Sequence, residues 1–135
     1  MRIVVLRNLL LAVLLPFLFI GAKTDQQADR LLGHWLFPSK GSSVNIFRVG
    51  NRYFARVAEV DQAGERNFGL VKDTVIIRNL RYDGQMWSDG QLIHPKTGIK
   101  LSVEVSMIDP QAIDVTIYKG IKLFHRRFNM TRKVS

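Results

Sequence analysis
The sequence, 135 residues long, contains no cysteine. That excludes a disulfide framework, a thiolate metal site, a cysteine nucleophile and acylation at an N-terminal cysteine. Acidic residues are scarce, 11 Asp plus Glu against 20 Lys plus Arg, giving a formal net charge of +9. The three histidines, His34, His94 and His125, show no metal-ligand spacing. Ser42 and Ser43 lack a Gly-x-Ser-x-Gly setting, and no Gly-rich loop precedes a helix. No catalytic residue, metal or cofactor is indicated, because nothing assembles a nucleophile, a base and an orienter. Asp83, Asp89 and His94 are close enough in sequence to form an acid–base cluster. A hydrolase using Asp89 and His94 is therefore the weakest of three functional readings, and turn chemistry explains the aspartates more simply. The length suits a single domain, without internal repeat or low-complexity segment.

What is present begins with an uneven distribution of apolar residues. Arg2 and Arg7 precede an unbroken apolar run from Leu9 to Ile20, followed by Gly21-Ala22 and the polar run Lys23 to Gln27. This is the layout of a secretory signal peptide over residues 1–22. The run is short for a membrane span, which needs about 20 apolar residues. Retention as an uncleaved inner-membrane anchor is the rival reading. The expected location is the periplasm, with at most a peripheral membrane association. There a basic protein meets anionic lipid or acidic polysaccharide more readily than nucleic acid.

Thr24-x-x-Gln27 fits a capping box, so Asp25 to Leu32 reads as a short helix ended by Gly33. Residues 23–30 thus form a linker and the start of that helix, and residues 31–133 form the main domain. Beyond Gly33 no stretch keeps a helical period. Ile99, Leu101, Val103, Val105 and Met107 alternate with polar residues, as do Ile113, Val115 and Ile117. A period of two marks strands with one apolar face. Further strands are expected over Trp35–Phe37, Ser43–Val49, Tyr53–Val60, Thr74–Leu80, Gln85–Ile93 and Leu123–Arg132. Gly50-Asn51, Asp83-Gly84, Pro95 to Gly98 and Asp109-Pro110 supply turns. The expected fold is all-β: an eight-stranded antiparallel up-and-down barrel. Asp61 to Asp73, the longest irregular stretch, is expected to be a mobile loop at the barrel mouth or a plain surface connection.

In a closed barrel the first and last strands pair, which brings Trp35 near Arg132. A guanidinium over the indole would seal that end. Gly33-x-Trp35 with the terminal Arg132 resembles the lipocalin-like barrels, and both residues read as structural. In the last strand Phe124, Arg126, Phe128 and Met130 share the more apolar face. Arg126 is therefore expected to point inward, as an anchor for a carboxylate or phosphate. Phe124, Phe128, Met130, Val103 and Val105 would line the cavity. The alternatives are an internal acidic partner for Arg126, a bulge that turns it outward, or a barrel filled by its own side chains.

The ordered set Gly33, Trp35, Val44, Ile46, Trp87, Gly90, Pro95, Gly98, Tyr118, Gly120 and Arg132 resembles the exported bacterial domain-of-unknown-function family two-one-four-seven. The resemblance covers roughly Leu31 to Lys133. This chain has His94 where members usually carry Asp, Ile117 where they carry Gly, and Met130 where they carry Trp. The resemblance implies a small β-barrel in the bacterial envelope and supplies no established activity. The first functional reading is thus non-enzymatic binding of a small amphipathic or lipid-like anion. The second is an envelope interaction module. In it a filled barrel would meet an anionic surface or a protein through a basic patch that includes Lys119, Lys122, Arg127 and Lys133.

Overall fold
The computed structural model describes residues 26–121 and 125–134. The chain divides into two units, Met1–Arg30 and Leu31–Ser135. The expected signal segment, Lys122 and Phe124 lie outside the described residues. The chain is helical over 26–28, followed by a 3-10 turn over Asp29–Leu31. Among the described residues the helical stretch ends at Leu31, one residue before the expected Leu32.

The second unit is a closed barrel in which each strand pairs antiparallel with the next and the last returns to the first. The strands are β1 (Gly33–Leu36), β2 (Ser43–Val49), β3 (Arg52–Glu59), β4 (Val75–Tyr82), β5 (Trp87–Ile93), β6 (Lys100–Asp109), β7 (Ala112–Tyr118) and β8 (His125–Arg132). Alternation decides which face turns in. On β6, Val103 and Val105 are buried while Lys100 and Ser106 are exposed. On β7 the inward positions are Ile113, Val115 and Ile117, paired with Met107, Val105 and Val103 of β6.

The closing seam is narrow, with β1 and β8 in register only at Trp35↔Arg132 and Leu36↔Thr131. Side chains reinforce it. The Arg132 guanidinium lies 4.2 Å from the centroid of the Trp35 ring. It donates to the carbonyls of Leu32 at 2.9 Å and Pro110 at 3.0 Å. Gly33 leaves the necessary room: with φ at 134°, a Cβ there would meet Arg132 Nη1 at 2.6 Å. The backbone angle itself is one that L side chains rarely adopt. On the outer side of the seam, Lys133 donates to Glu59 at 2.7 Å, and Ser43 donates to the same carboxylate at 3.0 Å. These contacts hold the Glu59 carboxyl below its ordinary value of 4.5, with the Lys133 bond contributing most.

The stretch from Asp61 to Asp73 is not an irregular loop. It contains helix α1 (Gln62–Phe68), because cap residues bracket it on both sides. Asp61 Oδ1 accepts from the Gly64 amide at 2.8 Å, and Gly69 closes the last turn in the left-handed conformation. Asp61 Oδ1 also accepts from the buried Ser42 hydroxyl at 2.7 Å, which ties the start of α1 to the β1–β2 connection. Those two donors hold the Asp61 carboxyl below its ordinary 3.8, the Ser42 hydroxyl first.

Candidate functional site
The barrel interior has two unlike halves. Toward the β2–β3, β4–β5 and β6–β7 turns it is solid: Trp35, Leu80, Trp87, Val103 and Ile113 are all 0 % exposed. Gly90 makes this packing possible, since a Cβ there would meet Leu80 Cδ2 at 2.5 Å and the Val103 carbonyl oxygen at 3.3 Å. The bulge just before it, between Trp87 and Gly90, places Asp89 on the outside with φ at 60°.

Toward the other end the interior is hollow. A cavity of about 290 Å³ opens among residues of β2, β4, β5, β6, β7 and β8, with α1 and the β5–β6 turn at its mouth. That volume lies near the lower end of the range for small-molecule sites, roughly 300–1,000 Å³. Its wall is apolar apart from Asn67, His94 and Arg126. Phe68, the last residue of α1, stacks on Phe37 at 5.6 Å and meets Phe128 edge-on at 5.3 Å. The helix thereby contributes an aromatic cover to the cavity.

Of the expected ligand contacts, Arg126, Phe128 and Met130 line this cavity. They descend one face of β8, opposite Ile117, Val115 and Ile113 of β7. Arg126 is exposed at the rim, its guanidinium carbon 5.9 Å from the Phe128 ring centroid. Among the described residues no carboxylate lines the cavity, so the wall supplies no internal acidic partner for Arg126. Val103 and Val105 do not line it. They pair with Gly90 and Trp87 in the solid half, where the Trp87 indole and Leu80 occupy the space beside them. Sequence reading missed His94, Asn67 and Phe68. The cap residues Asp61 and Gly69 were the available signal for the last two. His94, Ile117 and Met130 all line the cavity.

The acid–base candidates are not brought together. Asp83 accepts from the amides of Met86 and Gln85 in the β4–β5 turn, and those bonds lower its pKa, Met86 first. His94 lies beyond the far end of β5, about 20 Å along the strand at roughly 3.3 Å per residue. Its Nδ1 accepts from the amides of Lys96 and Thr97. Asp89 faces outward and pairs with Arg81 at 3.6 Å. Of the expected basic patch, Lys119 precedes β8, Arg127 is exposed on it and Lys133 follows it, paired with Glu59, while Lys122 lies outside the described residues. The structural signature residues serve packing and turns. Trp87 packs against Tyr82 at 4.8 Å, Gly98 and Gly120 take positive φ in turns, Pro95 borders the cavity, and Tyr118 reaches Glu104 at 3.5 Å.

The structure resembles a solved lipocalin-family member, protein HP1028 from the human pathogen Helicobacter pylori. The TM-score is 0.58 at 18% sequence identity, covering 77% of this chain and 83% of that one. That likeness establishes a lipocalin-like barrel. No curated protein matches the chain. The model of a bacterial family matches residues 33–132, from the glycine that opens β1 to the arginine that closes β8. The chain belongs to that family, the uncharacterized proteins conserved in bacteria grouped as DUF2147.

Proposed function
We propose that this barrel binds a small amphipathic anion without chemical turnover, as an exported protein of the bacterial periplasm. The apolar tail occupies the open-end cavity and the anionic head meets Arg126 at the rim. The observation that carries this reading is an apolar hollow with a cation at its mouth and, among the described residues, no carboxylate in its wall. An arginine fork presents paired donors to a carboxylate or phosphate, and the apolar wall rewards a buried tail. The test is native mass spectrometry of delipidated protein re-exposed to an envelope lipid extract. A bound species of defined mass is expected and should weaken in Arg126→Gln; bare protein under all conditions refutes the reading.

A second reading, contact with an anionic envelope surface, draws on the outer wall. Phe47 and Phe54 face each other across β2 and β3 and stack at 5.6 Å, with the Arg56 guanidinium 5.4 Å from the Phe47 ring centroid. Aromatic rings beside cations suit a lipid interface. Binding to anionic vesicles that falls steeply with salt, and is lost in Arg56→Ala, would support it. Vesicle binding indifferent to both would remove it.

A further inference from the structure
We infer that the cavity is a length gauge, built for a monoanion with an unbranched tail of about ten carbons rather than a long-chain lipid. This inference rests on the binding reading above.

Two features of the barrel set the limit independently. The first is volume. A methylene takes up about as much room as a liquid water, ~30 Å³. A cavity of about 290 Å³ therefore accepts about ten such groups. The second is depth. On β8 the wall runs from Arg126 at the rim to Met130. Those four steps span about 13 Å along the strand at ~3.3 Å per residue. Strand tilt in barrels of this kind, roughly 35–45°, shortens the depth along the axis to about 10 Å. Met130 is the last residue of β8 in the wall, and its partner on β7, Ile113, is fully buried and no longer lines the cavity.

Arg126 fixes the other end of the gauge. A tail that matches the cavity reaches the floor while its head remains at the guanidinium. A longer tail has two options. It can leave its surplus methylenes in water, or it can lift its head off Arg126. Neither adds affinity. Up to the limit each further methylene should tighten binding about fourfold, the factor equivalent to ~0.8 kcal/mol of transfer free energy.

The experiment is isothermal titration of the full-length, delipidated protein with the straight-chain carboxylates hexanoate, octanoate, decanoate, dodecanoate and palmitate, each below its micellar concentration. Affinity is expected to climb to about ten carbons and then level or fall. Affinity that keeps climbing through palmitate overturns the gauge and leaves the binding reading intact. Failure of every chain length, with an envelope extract also giving bare protein, overturns both. Val115→Phe adds bulk inside existing empty space and should move the optimum down by about two carbons. Met130→Ala removes bulk from the deep end of the wall and should move it up, provided circular dichroism shows the variant folded. An optimum that stays fixed in folded Val115→Phe protein also overturns the gauge.

Discussion

Removing the Arg132 side chain should cost this barrel more than removing any other surface cation. Its guanidinium makes three contacts on two otherwise separate pieces of chain: the Leu32 carbonyl and the Trp35 ring at the start of β1, and the Pro110 carbonyl in the β6–β7 turn. Hydrogen bonds from an ionised donor contribute roughly 1.5–3 kcal/mol each. A guanidinium over an aromatic face adds about 0.5–2 kcal/mol. Arg132 is only half-buried, and water can reach the two carbonyls after truncation, so the low ends apply. Arg132→Ala should then lose about 3.5 kcal/mol. The loss is severe, because only two register pairs close the β1–β8 seam and a domain of this size holds roughly 5–15 kcal/mol in all. Trp35 and Trp87 are both fully buried, so their fluorescence reports unfolding directly. In urea, with a slope of about 1–3 kcal/mol per molar, the midpoint should fall by more than about 1 M. Arg132→Lys separates charge from geometry, since an ammonium cannot supply the fork or stack flat on the indole. It should recover less than half of the loss. A lysine variant as stable as wild type would refute the reasoning, leaving plain charge as the explanation.

Four further outcomes follow from the same contacts. Asp61→Ala removes the α1 cap and the acceptor for the buried Ser42 hydroxyl, and should lower stability by about 1–2 kcal/mol in thermal melts. Phe68→Ala strips two ring contacts from the cavity mouth. It should raise amide exchange across 62–70 and speed ligand release in stopped-flow, with little change in the exchange of β6. Gly90→Ala forces a methyl against Leu80 and should cost about 1–3 kcal/mol in urea titration. Glu59, Asp61 and Asp83 all have folded pKa values below their ordinary ones. The unfolded chain therefore takes up protons first on acidification. Their stabilisation is complete above the ordinary values of 4.5 for Glu59 and 3.8 for the aspartates, and is lost as pH falls through the lower folded values. The urea midpoint should drop between pH 6 and pH 3, and Glu59→Gln should flatten part of that drop.

The barrel was legible in the sequence because its signal is local. Inward and outward residues alternate in β6 and β7 with almost no exception, and turn residues mark the ends. Closure was legible through Gly33, Trp35 and Arg132, whose chemistry makes sense only if the first and last strands meet. Helix α1 was hidden for a physical reason. Seven residues span barely two turns, too few for a helical period to show, so the information lay only in its caps, Asp61 and Gly69. The boundary between hollow and solid was hidden more deeply. Val105 in the solid half and Val115 in the cavity wall are paired residues of the same type on the same inner face. What separates them is the neighbour each meets on its far side, Trp87 beside Val105 and Phe128 beside Val115, and that depends on strand register.

That asymmetry bears on why the hollow exists at all. An apolar cavity costs about 24 cal/mol per Å³ relative to a filled one. Applied to about 290 Å³, this gives on the order of 7 kcal/mol, an upper bound because the mouth is open. So large a forfeit is tolerable only if the remainder of the molecule is well packed. Both tryptophans, the Arg132 clasp and the Gly90–Leu80 contact are gathered in the half that has no cavity. Larger side chains at Val44, Val115 or Leu101 would fill the other half with no change of fold. A ligand that fills it instead recovers part of the forfeited energy on binding and stabilises the folded state in proportion to its occupancy. A solid barrel that acted only through its outer surface would have no physical reason to leave that energy unclaimed.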